Sequence, residues 1–443
     1  MKKIPGLYVG IIGGLLIGCL SLNAGNWPQL RGPAFNGSTE ETNLPSEFSK
    51  GKNVTWNLKL PGVGAATPAV WANRVFITAQ HERTKDLLAI CVDRTSGKIL
   101  WQDKAGSGFG GDRRSTKASP SPVTDGKTVY FYYASGDLIA YDMNGKRVWD
   151  RNIQKDLGNY AFQWTYATSP VLFDDKLYIQ ILQRDYRPGE QDNEKNIPSF
   201  ILALDPNTGK TLWKQNRDNQ AKAESKEAFS TPTPFVHKDG HKELLVVGGD
   251  CITGHNPDTG AELWRWGTWN PNRIGHWRLV PSPVAGGGVV LACTPKRGSV
   301  FGIKLGGKGT LSDSDIAWKS EPRKITSDVA TPLFYQDHFY ILDGDRKIMT
   351  CVEPATGQII WSEKLDSKSI FRASPTAGDG KIYCLNHTGE VFVLKAGNRF
   401  EQILKTDFGD SKDKTIRSSI AISDGQLFIR TNSRLYCIGK QQI

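Results

Sequence analysis

The chain has 443 residues, 38% hydrophobic and 23% charged, which is the composition of a globular protein long enough to bury a large core. Its 46 glycines and 23 prolines favour a turn-rich all-β fold over a helical one. The net charge of +11 is spread along the chain, with no basic cluster interleaved with aromatic residues, so nucleic acid is not predicted as a partner. The charge indicates either a well-solvated basic surface or attraction to an anionic partner in the cell envelope.

Residues 1–24 have the pattern of a secretory signal segment. Lys2 and Lys3 form a positive start, and an apolar, glycine-rich stretch follows from residue 4 to residue 22. Two cleavage sites compete. The segment 16–19 (LIGC) resembles a bacterial lipobox, which would make Cys19 a lipidated first residue, whereas 22–24 (LNA) suits a simple signal peptidase. Either site predicts an exported protein of the periplasm or cell envelope, and the first adds a lipid anchor to a membrane.

Residues 25–52 show no strand pattern and are predicted to be an irregular leader. Its first part, 27–33 (WPQLRGP), is expected to be rigid and packed on the surface. A lone strand with Trp56 at its centre then follows within residues 53–60.

One phrase recurs along the rest of the chain and predicts a repeat protein. It consists of a strand, a turn rich in Asp, Asn, Thr and Gly, and a short second strand that ends in Trp. The clearest copy is 203–213 (ALDPNTGKTLW), and others occupy 89–101, 140–149, 254–264 and 351–361. A phrase that returns every ~40 to 60 residues is the signature of stacked supersecondary units.

Each unit begins with a Ser/Thr-Pro pair, here called its opening, and contains four strands. The openings are Thr67-Pro68, Ser121-Pro122, Ser169-Pro170, Thr233-Pro234, Ser282-Pro283, Thr331-Pro332, Ser374-Pro375 and a degenerate Ser418-Ser419-Ile420. The eighth unit ends after three strands, and the strand around Trp56 supplies the missing fourth. The sequence therefore predicts an all-β, eight-bladed β-propeller of four-stranded blades over residues 53–443, closed by its N-terminal strand. Closure would remove exposed sheet edges.

The Trp at the end of each fourth strand is predicted to lie flat on a glycine-containing turn of the neighbouring unit. This contact would bury apolar area and satisfy the indole N–H. The predicted docking residues are Trp56, Trp101, Trp149, Trp213, Trp264, Trp318 and Trp361, and the seventh unit, which lacks a Trp, is expected to use Phe400.

The repeated phrase, the openings and the eight units resemble the PQQ-like (quinoprotein-type) β-propeller superfamily across residues 53–439. Within it, the length, export signal and lipobox are similar to the propeller lipoproteins of the outer-membrane β-barrel assembly machinery. This resemblance implies a non-catalytic binding or assembly scaffold that needs no cofactor and works as a monomer within a complex of envelope proteins. Strand edges and loops would receive extended segments of client proteins.

Two alternatives stay open. The first is a quinoprotein dehydrogenase that uses PQQ and Ca²⁺. Trp269 or Trp277 could stack a quinone and Asp250 or Asp345 could ligate a metal, but no spacing selects them, and the adjacent Cys pair of many alcohol-oxidising members is absent. The second alternative is a propeller that binds a carbohydrate or polyanion.

The candidate ligand site is the mouth of the central channel, because the residue before each innermost strand should lie there. These positions are predicted to form a mostly basic ring that binds an anion or an acidic peptide, although pairing with Asp328, Asp343, Asp345 and Glu224 would instead join the blades. The predicted site residues are Lys117, Arg278, Asp328, Arg372 and Arg417, with Trp164 and Trp277 nearby. No catalytic residue and no metal ligand is predicted, since the seven histidines are scattered.

Overall fold

The computed structural model describes residues 25–108, 112, 115–189, 196–267, 269–411 and 413–440. The predicted signal segment, with the lipidation proposed at Cys19, lies outside these residues.

Eight antiparallel sheets, here called blades 1 to 8, follow one another along the chain and form a closed propeller. The first strand of the chain, β1 (Val54–Lys59), belongs to blade 8. Blade 1 comprises β2 (Ala69–Trp71), β3 (Arg74–Gln80), β4 (Asp86–Asp93) and β5 (Ile99–Ser107). Blade 2 comprises β6 (Val123–Thr124), β7 (Thr128–Tyr132), β8 (Asp137–Asp142) and β9 (Arg147–Asn152). Blades 3 and 4 comprise β10 (Val171–Phe173), β11 (Lys176–Ile181), β12 (Phe200–Leu204), β13 (Thr211–Asn216); and β14 (Thr233–Val236), β15 (Lys242–Gly248), β16 (Cys251–His255), β17 (Glu262–Trp266).

The remaining blades repeat the pattern, with one added strand. Blades 5 and 6 comprise β18 (Val284–Gly286), β19 (Val289–Cys293), β20 (Val300–Lys304), β22 (Ile316–Lys319); and β23 (Leu333–Tyr335), β24 (His338–Asp343), β25 (Ile348–Val352), β26 (Ile359–Lys364). Blades 7 and 8 comprise β27 (Thr376–Gly378), β28 (Lys381–Leu385), β29 (Glu390–Lys395), β30 (Gln402–Asp407); and β31 (Ala421–Ser423), β32 (Gln426–Arg430), β33 (Arg434–Ile438). The short β21 (Gly309–Thr310) pairs in parallel with β17 of blade 4. Helical structure is limited to α1 (Ile153–Leu157) and the 3-10 turns Ala223–Lys226 and Asp313–Asp315 in the described residues.

The N-terminal strand β1 closes the ring as predicted. It pairs antiparallel with β33, the last strand of the chain, with Trp56 opposite Cys437. The order of blade 8 is therefore β1-β33-β32-β31, and the eight-bladed fold is confirmed.

Burial explains why the inner strands read as continuous apolar runs while the outer strands alternate. In blade 3, all five residues of β12 are buried, whereas β13 alternates between exposed and half-buried positions. An inner strand is covered on both faces by neighbouring blades, so both of its side-chain rows must be apolar. An outer strand meets solvent on one side, so only one of its two side-chain rows is buried.

The openings form a continuous ring of hydrogen bonds around the axis. In every blade, the backbone N–H of the opening Ser or Thr donates to the hydroxyl of the corresponding residue in the next blade, at 2.9 to 3.1 Å. The members of this hydroxyl ring are Thr67, Ser121, Ser169, Thr231, Ser282, Thr331, Ser374 and Ser419. The prediction of Thr233-Pro234 as the blade 4 opening is wrong by two residues, since Thr231-Pro232 takes that place and Thr233 already begins β14.

Most closing tryptophans lie on a turn of the following blade. The indole N–H of Trp149, for example, donates to the Pro206 carbonyl at 2.7 Å, and a Cβ added to Gly209 would stand 2.6 Å from its ring. Equivalent bonds to the next blade are made by Trp56, Trp101, Trp213, Trp318 and Trp361. The indole thus fixes the blade-to-blade spacing through one hydrogen bond and close ring contact.

Two positions depart from this pattern. The indole of Trp264 donates to Glu243 Oε2 of its own blade at 2.8 Å, and the edge of its strand β17 is paired with β21. In blade 7, the residue in register with the closing Trp is Leu404, which pairs with Val393, and Phe400 instead packs edge-on against Trp361 of blade 6.

The leader does not pack on the outer surface as expected; it fills one end of the axial channel. Trp27 is fully buried and exchanges backbone hydrogen bonds with Val70 of the innermost strand β2. Arg31, 4% exposed, donates to the Pro332 and Pro375 carbonyls at 2.8 and 3.1 Å. Burial lowers its pKa to about 9, so the guanidinium stays charged at neutral pH. The carbonyls of two openings and a charged side chain therefore hold the leader in place.

No helix in the part of the chain that the structure describes has the length and apolar character needed to span a membrane.

Candidate functional site: the axial cavity

A cavity of about 450 Å³ lies on the propeller axis next to the hydroxyl ring. Five ring members, Thr67, Ser121, Ser169, Ser374 and Ser419, contribute to its wall. Leu30 of the leader also lines it, so the leader closes one end. We call this space the axial cavity.

The structure brings five of the seven predicted site residues together in the axial cavity. These are Arg278, Asp328, Arg372, Arg417 and Trp164. Lys117 lies instead in an adjoining pocket of about 360 Å³, which shares Trp164 with the cavity. Trp277 is held by its backbone N–H to the Ser225 hydroxyl at 2.8 Å and is outside the cavity lining that the described residues form.

Arg278 and Arg372 of the cavity lining form ion pairs with carboxylates. Arg278 Nη1 lies 3.1 Å from Glu224 Oε1, and Arg372 Nη2 lies 2.6 Å from Asp345 Oδ1. The mouth is therefore a mixed-charge surface rather than a bare ring of positive charge. This corresponds to the alternative in which carboxylates pair with these arginines and join neighbouring blades.

The long connection into blade 4 supplies the acidic side of the mouth. Its 3-10 turn Ala223–Lys226 places Glu224 so that Oε1 also accepts the Trp164 indole N–H at 2.9 Å. Next to it, Glu227 is fully buried and pairs with Arg184, and desolvation raises the pKa of Glu227 to about 7 despite that partner. The segment 218–227 is thus a partly buried element that positions Trp164 and Arg278.

Asp328 and Asp112 are the carboxylates in the cavity lining itself. Asp328 Oδ1 accepts the Lys296 backbone N–H at 2.8 Å, and Asp112 Oδ2 accepts the Thr165 N–H at 2.6 Å. Both acids therefore orient loops at the cavity wall.

His387 is a cavity residue that the sequence analysis did not select. It is 8% exposed, and its Nε2 has no hydrogen-bond partner among the described residues. Burial lowers its pKa to about 4, and the positive charges of Arg417 and Arg372 act in the same direction. A neutral imidazole therefore faces the cavity at neutral pH. No local motif marks this position, because it comes to the cavity only through the β28–β29 turn.

A calcium-bound quinone in this cavity would need a cluster of oxygen ligands. Ca²⁺ takes six to eight oxygen ligands, usually including several carboxylates. Within the described residues, the only group of three His, Cys, Asp or Glu side chains close enough to share an ion lies in blade 4, away from the cavity lining. Asp345, one of the acids considered as a ligand, pairs with Arg372, and Asp250, the other, accepts Asn270 Nδ2 at 2.7 Å.

These features define the class of the protein: a closed, eight-bladed PQQ-like β-propeller with a charged axial cavity. The family profile described as outer membrane protein assembly factor BamB matches residues 46–187, 199–315 and 252–442, and the chain belongs to this family. No curated protein sequence is a significant match.

Several solved structures share the fold at low sequence identity. BamB from Moraxella catarrhalis is 14% identical, with a TM-score of 0.58 over 87% of this chain and 99% of that one. Quinohemoprotein alcohol dehydrogenase from Comamonas testosteroni is 13% identical, with a TM-score of 0.64 over 96% of this chain and 82% of that one. A europium-containing methanol dehydrogenase is 10% identical, with a TM-score of 0.65 over 94% and 98%. At these identities the likeness establishes the fold.

Proposed function

We propose that the protein is a non-catalytic propeller scaffold of the cell envelope that binds extended segments of client polypeptides, as part of outer-membrane protein assembly. Membership in the BamB family supports this role. In this proposal the protein is exported by its signal segment, with Cys19 as its lipid anchor, and acts as a monomer within a complex of envelope proteins.

The observation that carries the proposal is a set of apolar, unpaired strand edges on consecutive blades. The outer strands β5, β9 and β13 each end their sheet and have no further strand beside them in the described structure. Each exposes an aliphatic side chain just before its Trp: Leu100 is 46% exposed, and Val148 and Leu212 are each 50% exposed. An edge with free backbone groups and an apolar side chain can accept an added strand.

The fourth blade provides an internal comparison. Its outer strand β17 is covered by β21, and the residue before Trp264 is half-buried rather than exposed. Blades 1 to 3 therefore form a continuous accessible arc that ends at blade 4.

A direct test uses the chain from Gly25 and a fluorescent peptide with the alternating apolar–polar pattern of an outer-membrane β-strand. Fluorescence anisotropy should show saturable binding that Val148→Asp combined with Leu212→Asp weakens about tenfold or more. Both side chains are half exposed, so the variant should fold. Val236→Asp is the matched control, because Val236 is also 50% exposed but lies on the innermost strand β14. Absence of binding, or equal binding by all three proteins, would refute the proposal.

A second candidate function is the binding of a small organic anion, such as an acidic sugar, in the axial cavity. The observation that favours it is the convergence of Arg278, Arg372 and Arg417 beside Trp164 in one space of about 450 Å³. Guanidinium groups bind carboxylates in a fork geometry, and an indole face can pack on a sugar or ring.

Calorimetric titration with sugar acids, and separately with PQQ plus Ca²⁺, tests this candidate. Saturable binding of a sugar acid that is lost in Arg372→Ala/Arg417→Ala would establish the cavity as an anion site. PQQ binding with dye-linked alcohol oxidation would instead identify a quinoprotein and overturn the scaffold proposal. Binding of neither ligand would remove this second function.

A further inference from the structure

The β14–β15 hairpin of blade 4 brings two histidines and one glutamate together. His237 follows β14, His241 precedes β15, and Glu243 is the second residue of β15. His237 Nε2 lies 3.1 Å and His241 Nε2 lies 3.4 Å from Glu243 Oε1, and the three ligand atoms are all within 4.8 Å of one another. We call this group the hairpin triad.

Glu243 is buried with one oxygen committed and one not. Its side chain is 1% exposed, and Oε2 accepts the indole N–H of Trp264 at 2.8 Å. Oε1 faces the two imidazoles, but among the described residues neither contact has the geometry of a hydrogen bond. A buried carboxylate oxygen in this state is costly unless a cation satisfies it.

Trp264 reaches Glu243 because this blade breaks the repeating pattern. The other six closing tryptophans donate their indole N–H to the next blade, whereas Trp264 donates to Glu243 within its own blade. Gly254 makes this possible, since a Cβ there would lie 2.1 Å from the Trp264 indole nitrogen. Trp264 therefore holds Oε2 of the Glu243 carboxylate and leaves Oε1 directed at the histidines. Hydrogen bonds from residues around a metal site orient its ligands in the same way.

The hairpin backbone holds the two imidazoles side by side. The His237 N–H donates to the His241 carbonyl at 2.7 Å, and the Gly240 N–H donates to the His237 carbonyl at 2.9 Å. The two rings lie 4.8 Å apart between centroids, and Phe235 packs edge-on against His237 at the same distance. The ligand positions are thus set by the turn and by one aromatic contact.

This donor set and spacing fit a tetrahedral transition metal. Two imidazole nitrogens and one carboxylate oxygen form a known ligand set for Zn²⁺, at bond lengths of about 2.0 to 2.2 Å. Tetrahedral geometry then places neighbouring ligand atoms roughly 3.3 Å apart, close to the two distances seen here. His237 is largely buried but His241 is 46% exposed at its side chain, which leaves one coordination position open to water or to a ligand from another molecule.

We propose that His237, His241 and Glu243 bind one divalent transition-metal ion of the Zn²⁺ class at the end of β14 away from the hydroxyl ring. The sequence analysis predicted no metal ligand, because the seven histidines are scattered along the chain. The metal would join the β14–β15 turn to the buried Glu243–Trp264 pair. This site is separate from the edges of blades 1 to 3, so its failure would leave the proposed function unaffected.

The experiment is metal titration of the tag-free, chelator-treated chain from Gly25. We expect one equivalent of Zn²⁺ to bind with a micromolar or lower dissociation constant and to raise the melting temperature. Co²⁺ should give the intense visible absorption of a tetrahedral site, which reports the geometry independently of stability. His237→Gln/His241→Gln should lose both signals, and the matched control His338→Gln, which replaces a half-buried histidine at the start of β24 of blade 6, should retain them.

Glu243→Gln provides a second variant that keeps the volume and the acceptor for Trp264. It should fold and bind Zn²⁺ at least tenfold more weakly. No saturable binding by the parent chain would overturn the proposal, and so would equal binding by the parent and the double histidine variant.

Discussion

The backbone N–H of Ser419 donates to the hydroxyl of Thr67 at 3.0 Å, although the two residues are 352 positions apart. This bond joins blade 8 to blade 1 and completes the hydroxyl ring. This hydrogen bond lies at the propeller axis, whereas the pairing of β1 with β33 closes the ring in the outer part of blade 8. The propeller is therefore closed twice, once by a side chain and once by a sheet.

Thr67→Val should reduce the free energy of unfolding by about 1–3 kcal/mol, because the buried Ser419 N–H would lose its acceptor while the side-chain volume stays the same. Urea unfolding followed by tryptophan fluorescence measures this. Thr310→Val, at an exposed position of β21, is the control and should change little. Equal stability of the two variants would show that the axial ring contributes nothing to closure.

Gly209→Ala should destabilise the protein more than Gly288→Ala. Both glycines have positive φ values, 69° and 84°, so each substitution carries a backbone cost of about 1–2 kcal/mol. Only Gly209 is in contact with a closing Trp; nothing lies within 4 Å of a Cβ at Gly288. Displacing Trp149 should add about 1–3 kcal/mol. Thermal unfolding of the two variants measures the difference, and identical melting temperatures would contradict the docking role of Trp149.

Arg31→Ala should destabilise the whole propeller, although the leader lies outside all the blades. The substitution removes the donor from the Pro332 and Pro375 carbonyls at the axis. Hydrogen bonds from a charged group contribute about 1.5–3 kcal/mol each, so we expect a loss of roughly 2–4 kcal/mol in chemical unfolding. Arg83→Ala, in an exposed turn, is the control. A leader that merely rests on the surface would make the two variants equally stable.

Acid should weaken the protein in part through His387. Its pKa is about 4 in the folded state and 6.5 in the reference state, so between these values the unfolded chain binds more protons. Stability from this group is therefore present above about pH 6.5 and declines as the pH falls toward 4. At pH 5 the decline amounts to about 2 kcal/mol.

His387→Gln should flatten this dependence. Urea unfolding at pH 7 and pH 5 compares the variant with the parent chain. The same pH dependence in the His387→Gln variant would show that this imidazole is not held neutral in the cavity.

The axial cavity shows how far residue patterns carry a site prediction. Arg278, Arg372 and Arg417 could be placed at the mouth because each lies a few residues before an innermost strand. The ion pairs could not be predicted, since Glu224 reaches Arg278 from a 3-10 turn and Asp345 reaches Arg372 from the β24–β25 turn of the preceding blade. His387 and the hairpin triad were not predicted, because they lie at the β28–β29 and β14–β15 turns, where no local motif marks them.

The sequence by itself determined the eight blades and their closure by the strand around Trp56, because a period of four strands and a recurring turn need no knowledge of distant contacts. Only the tertiary structure decided that Thr231 rather than Thr233 belongs to the hydroxyl ring, that Trp264 turns to Glu243, and that the leader fills the channel. The physical reason is that repeated local patterns encode the blades. The axis, the mouth and the exceptions depend on which side chains from distant segments satisfy one another's buried polar groups.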